Sequence, residues 1–231
     1  MNRHRLNRYL FYSLGVILLA AGITLNTKTA LGVSPLISLP YAVSQIWTLS
    51  FPLMTFILYA FFVILQIIIK GKNRQAKDLL QLPLSVVFSL LLDIFSHCYD
   101  SFIAALGIQT DSLIFRFALL LLAIAMTGVG AATMVAMKLI PNPADGLAEA
   151  VGGAFKKSMG FGKNFVDFST VAITCAVGIA SSGHLVGVGI GTVLAMIGVG
   201  RCIALFYHLC LDKMICAAGI SQIGQTSLEH A

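Results

Sequence analysis

Six apolar runs, each near twenty residues long, limit what this chain can become. They cover residues 9–26, 51–69, 79–97, 113–139, 165–182 and 185–209. At 1.5 Å per residue, about 20 helical residues match a hydrocarbon core of ~30 Å. Inside lipid each run must satisfy its own backbone polar groups, and a helix does so. Charged residues make up only 10% of the 231, against about 25% in a soluble domain. So few charges do not coat a water-exposed globule. The expected fold is all-α: one polytopic membrane domain over residues 1–231 with six transmembrane helices.

The formal charge of +6 is no nucleic-acid signal, because the basic residues cluster between the runs. Arg3, Arg5 and Arg8 precede the first, Lys70, Lys72, Arg74 and Lys77 follow the second, and Lys156, Lys157 and Lys163 precede the fifth. Residues 99–112 carry two aspartates and no lysine or arginine. By the positive-inside rule, both termini (1–8 and the polar tail 212–231) and the 70–77 loop are cytoplasmic, and 99–112 is external. The expected location is a bacterial inner (plasma) membrane. The first run has no small-residue cleavage site after it and is read as a retained span. The five cysteines include no CxxC pair, so neither a disulfide framework nor a metal or other cofactor is expected.

Between the first and second runs, and again between the fourth and fifth, lies a short helix start. Ser34-Pro35 opens one at 35–48 and Asn142-Pro143 opens another at 143–158. Ser and Asn are good N-caps, and proline suits the first helical position. Each half then reads span, short helix, span, span: 9–98 and 113–208. Three spans per half is odd, so the halves are inverted repeats, each with a re-entrant or interfacial short helix after its first span. Gly22 pairs with Gly130 and Pro35 with Pro143. Transporters built this way place their sites at the repeat interface.

The candidate substrate- or ion-binding residues are Ser34, Asp93, Asn142, Asp145, Glu149 and Arg201. Asn142 and Asp145 stand at a helix start, which favours anions through its free N–H groups; Asp145 itself suits a cation or proton. Glu149 follows four residues on, on the same face. Asp93 and Arg201 interrupt apolar spans, where ionisable residues mark function by default. Counted from the span ends, Asp93 sits roughly 21 Å above the inner boundary and Arg201 only some 6–8 Å above it. Arg201 is therefore expected to meet Asp145, Glu149 or Asp167, and Asp93 to face an outward cavity. The string Asn142-Pro143-Ala144 matches the aquaporin signature in three letters only. The first half has Ser-Pro-Leu, and the short helix follows the first span of each half rather than the second.

Leu31-Gly32-Val33-Ser34-Pro35, Asn142-Pro143-Ala144-Asp145-Gly146-Leu147 and Gly189-Ile190-Gly191-Thr192 together resemble the YczE/YyaS-type bacterial integral membrane proteins, distant relatives of the YitT group, over residues 8 to 210. That resemblance implies a polytopic plasma-membrane protein and no particular activity. The family's second motif is of Gly-Pro-Arg-Asp-Gly type; Asn142 and Ala144 replace its first and third residues here. The reading that follows is a secondary transporter or exporter of a small organic solute, driven by a proton or ion gradient. A channel-like facilitator and a non-transporting membrane regulator or assembly partner are the alternatives. No catalytic constellation is visible, so an enzyme is not expected. The partners are the bilayer and the substrate, with homo-oligomers compatible with the sequence.

Overall fold

The computed structural model describes residues 3–107 and 109–220. Among these the chain is all-helical: α1 (Arg3–Thr27), α2 (Pro35–Ile46), α3 (Phe51–Lys70), α4 (Ala76–Leu79), α5 (Gln81–Leu106), α6 (Leu113–Ala136), α7 (Pro143–Ala154), α8 (Met159–Ser182) and α9 (Ile190–Ala218). Six helices are long and apolar enough to cross a membrane: α1, α3, α5, α6, α8 and α9. Their outward faces are apolar, as at Ile114, 83% exposed, and Phe168, 72% exposed. Such a surface suits lipid rather than water.

Local chemistry sets the helix ends. Ser50 caps α3 by accepting the Leu53 N–H, and Ser158 caps α8 by accepting the Phe161 N–H. Gly107, Gly183 and Gly219 close α5, α8 and α9 in the left-handed region, which costs glycine least. Several ends differ from the apolar runs. α5 continues to Leu106, past the expected end of the span near 97, and α9 continues through Asp212 to Ala218. Most of the expected polar tail lies outside the described residues. A polar residue does not end a helix whose backbone bonds are already running.

α2 and α7 pack within the bundle. α7 buries Pro143, Ala144, Gly146, Leu147, Ala148, Ala150, Val151 and Gly152. A helix covered on most of its sides is a core element of the bundle. α2 contacts α3, α8 and α9, and α7 contacts α3 and α8. Pro40 stays inside α2; losing one backbone bond does not break a helix held on several sides.

α1 and α6 cross at glycines. A Cβ on Gly22 would strike the backbone of Thr127, and one on Gly130 would strike that of Leu19. Adding 108 to one member of either pair and subtracting it from the other turns each contact into the other. The same offset relates Pro35 and Ile46, the ends of α2, to Pro143 and Ala154, the ends of α7. It also pairs the four non-glycine residues with positive φ among the described residues: Ala30 (56°) with Lys138 (49°), and Thr48 (52°) with Lys156 (53°).

The start of α1 and the end of α9 lie at one end of the bundle, where His4 and Asn7 meet the Ala217 carbonyl. Arg8 holds the Met137 and Lys138 carbonyls there as well. This is the basic end. At the opposite end Lys28 pairs with Asp100 at 2.6 Å.

Candidate functional site

The site forms where α7 begins, against α3 and α8. Asn142 caps α7, its side-chain oxygen accepting the Ala144 N–H at 3.0 Å. α3 brings Tyr59, fully buried, with its hydroxyl beside Asn142 and Asp145. That hydroxyl lies outside hydrogen-bonding geometry with Asn142 and meets no partner. α8 brings Lys163 and Asp167, one helical turn apart, with Nζ and Oδ2 4.0 Å from each other. The second carboxylate oxygen of Asp167, Oδ1, is buried and also unpartnered. Asp145 on α7 and Lys163 on α8 are near enough for their opposite charges to act on each other, short of a direct ion pair. The result is two carboxylates and one ammonium, Asp167 buried and Asp145 and Lys163 half-buried, with a buried phenol hydroxyl beside them. Buried polar atoms are rarely left unpaired, and Tyr59 lies 108 positions before Asp167, so both orphans occupy corresponding places.

Packing makes this approach feasible. A Cβ on Gly162 would collide with the Ala148 carbonyl, so only glycine lets α8 lie this close to α7. Gly146 faces Gln66 and Gln81, both fully buried, whose side-chain amides bond each other at 2.7 Å. At the corresponding place in the other half, Ser38 and Thr174 share a hydrogen bond of 2.8 Å.

Burial pushes the Asp145 carboxyl above its ordinary 3.8, and the Lys163 ammonium opposes that rise. Well below pH 3.8 the carboxyl is neutral in folded and unfolded chains alike. As pH climbs past that value the unfolded chain ionises first, so stability falls until the raised native value is passed. Asp145→Asn is expected to reduce this fall. Thermal unfolding in detergent between about pH 4 and pH 8 measures it, and an unchanged profile contradicts the assignment.

Of the six expected residues, Asn142 and Asp145 come together here. Ser34 starts α2 without capping it; its own N–H donates to Asn26 Oδ1 at 2.6 Å. Glu149 points away from the cluster and lies 3.5 Å from Lys70, which also holds the buried Asp78 at 2.9 Å. Asp93 faces out of the bundle, 55% exposed, with His97 as its neighbour at 3.8 Å. Arg201 is exposed on α9 and makes no hydrogen bond or ion pair among the described residues. The expected pairing of Arg201 with Asp145, Glu149 or Asp167 is therefore overturned, as is the cavity-facing Asp93. α9 starts at Ile190 rather than 185, so Arg201 stands higher in the span, and its helical face turns outward. The cation whose charge acts on Asp145, Lys163, reads in the sequence as a loop lysine. It is the fifth residue of α8, which begins at Met159, earlier than the apolar run suggests. Tyr59 carried no signal, since a tyrosine in an apolar span is ordinary. No group of three or more His, Cys, Asp or Glu among the described residues is placed to hold a metal.

A second feature opens at the end opposite the basic one. A cleft of about 630 Å³ runs between the α1–α2 and α8–α9 connections, lined among others by Gly32, Tyr41, Gln45, His184, Gly187 and Gly189. Gly32 (φ 101°) and Gly187 (φ 76°) adopt conformations that other residues rarely reach. At the basic end, 108 positions from Tyr41, stands Glu149, and there Lys70 draws Asp78 and Glu149 together.

No curated protein and no solved structure matches the chain. Residues 6–208 match one family, whose description is "Family of unknown function (DUF6198)".

Proposed function

The chain belongs to this family of unknown function, and we propose from the site that it is a secondary transporter of a small organic solute, coupled to a proton or cation gradient. The observation that carries the reading is the group of Asp145, Lys163 and the buried Asp167 beside the start of α7, with two buried, unpartnered polar atoms. Intramembrane ionisable groups facing a bundle interior mark ion and substrate paths. Short helices that begin inside a bundle are what transporters use there. The 108-residue correspondence of contacts, helix ends and left-handed residues supports an inverted repeat. Kinship with the YczE/YyaS-type proteins belongs to this reading. In it the basic end faces the cytoplasm of a bacterial cell, as residue charge asks.

The two ends differ as alternating access requires. The cleft at one end is open. At the other, Lys70 ties α3 to Asp78 before α5 and to Glu149 on α7. In this reading the Lys70 bridge is the closed inner gate. Lys70→Ala is expected to favour the opposite state, so that Leu147→Cys, buried here, reacts several-fold faster with a thiol reagent from the basic end. Equal labelling rates with and without Lys70 count against a gate.

The deciding experiment is reconstitution in sealed vesicles, with small organic solutes screened by the proton or cation current that they evoke. The expected result is a saturable current that needs a gradient and disappears in Asp145→Asn. Flux that neither saturates nor needs a gradient indicates a facilitator. No flux with any solute, together with a co-purifying protein, indicates a regulator.

A further inference from the structure

We propose that two copies of this chain associate side by side in the membrane, with Asp93 on α5 of one copy paired with Arg201 on α9 of the other. Both residues face out of the bundle. Asp93 lies twelve residues into α5, about 18 Å from its basic-end start, and Arg201 eleven residues into α9, about 17 Å from the opposite start. In a core of ~30 Å both therefore lie within about 5 Å of the same mid-depth. Neither sits where a headgroup helps: Arg201 is ~13 Å from the nearer boundary, beyond the reach of its side chain. Charges facing lipid at that depth are expensive and pair whenever they can. Among the described residues of its own chain, Arg201 has no partner, and Asp93 has only His97 at 3.8 Å.

The charges are opposite, the depths match, and the helices run in opposite directions. An antiparallel α5–α9 contact centred on this pair sets Leu90 opposite Ala204 and His97 opposite Ile197, all four exposed. Gly200 and Ala204 flank Arg201 on that face; nothing lies within 4 Å of a Cβ built on Gly200. Small residues there let the second backbone come close. A rotation about the membrane normal preserves depth, so a two-fold dimer with both charges in its interface forms the pair twice. The partner is thus a second copy of this chain, selected by charge at fixed depth.

Charge exchange tests this on the full chain in lipid vesicles, with subunit number read by single-molecule photobleaching. The wild type is expected to be dimeric. Asp93→Arg alone and Arg201→Asp alone each place like charges together and should lose most of the dimer, at least tenfold in association. Co-expressed, the two variants complement each other, so a tagged Asp93→Arg copy should capture an Arg201→Asp copy and not itself. Should a reversed charge prevent insertion, Leu90→Cys and Ala204→Cys keep both charges. Those two should form an intermolecular disulfide when mixed that neither forms alone. A monomeric wild type, dimers unaffected by the single reversals, or no cross-link in the mixture overturns the proposal.

Discussion

Gly22→Ala and Gly130→Ala are each expected to cost the fold about 1–3 kcal/mol or more, whereas Gly153→Ala should stabilise it by up to ~1 kcal/mol. The opposite signs come from space. A Cβ on Gly22 would stand 2.6 Å from the Thr127 nitrogen, and one on Gly130 2.5 Å from the Leu19 nitrogen. Both obstacles are backbone, so α1 and α6 must separate along their whole crossing, and the neighbouring contact of Gly15 with Met134 loosens with them. In lipid this matters more than in water, because close van der Waals contact between helices is a main source of their association. Gly153 sits in a helix with nothing within 4 Å of its Cβ, so alanine there only removes backbone freedom from the unfolded chain. Thermal unfolding of the three purified variants in one detergent checks the order. Equal midpoints for Gly22→Ala and Gly153→Ala contradict the α1–α6 contact.

Lys163→Met is expected to destabilise the protein by about 1–3 kcal/mol, between the ~0–1 of an exposed pair and the ~3–5 of a fully buried one. The intermediate value follows from unequal burial: the Lys163 side chain is 37% exposed and that of Asp167 11%. Removing the ammonium leaves Asp145 and Asp167 facing each other without a cation. Adding Asp167→Asn to Lys163→Met removes one of these charges and should restore part of the loss. The coupling in this double-mutant cycle is then large and opposite in sign to simple addition. Denaturation midpoints of the wild type, both single variants and the double variant measure it; additive effects show that the two groups do not share a site. Lys163→Arg keeps the charge but has a wider, planar head, and should recover stability only in part.

The site was legible in the sequence where its signal was local. Asn142, Pro143 and Asp145 announce a helix start by their order alone, and the structure has Asn142 as the cap and α7 beginning at Pro143. The partners of Asp145 were not legible. Lys163 looked like a loop lysine because hydropathy marks where lipid begins, not where a helix begins, and α8 starts before its apolar run. Arg201 reads as the natural partner because, counted from the span ends, it falls near the inner boundary where Asp145 also lies. Its face on α9 is settled by packing: Thr192 and Ala195 turn inward, buried at 2% each, and the Arg201 side of the helix turns outward. A span that is apolar all round gives no period from which to read its inner face.

Hydropathy and proline spacing by themselves determined that this chain is helical, that six segments are long enough to span a bilayer, and that short helices start after Ser34 and Asn142. Those features follow from interactions within a few residues: backbone bonds closed in place, caps, and apolar length against membrane thickness. Only the tertiary structure decided that α7 is buried, that the charge acting on Asp145 is that of Lys163 rather than Arg201, and that Tyr59 and Asp167 each keep a buried atom without a partner. Those features depend on which face each span turns inward. In a chain whose solvent is as apolar as its core, that choice is made by small residues letting particular backbones touch, as at Gly22, Gly130 and Gly162.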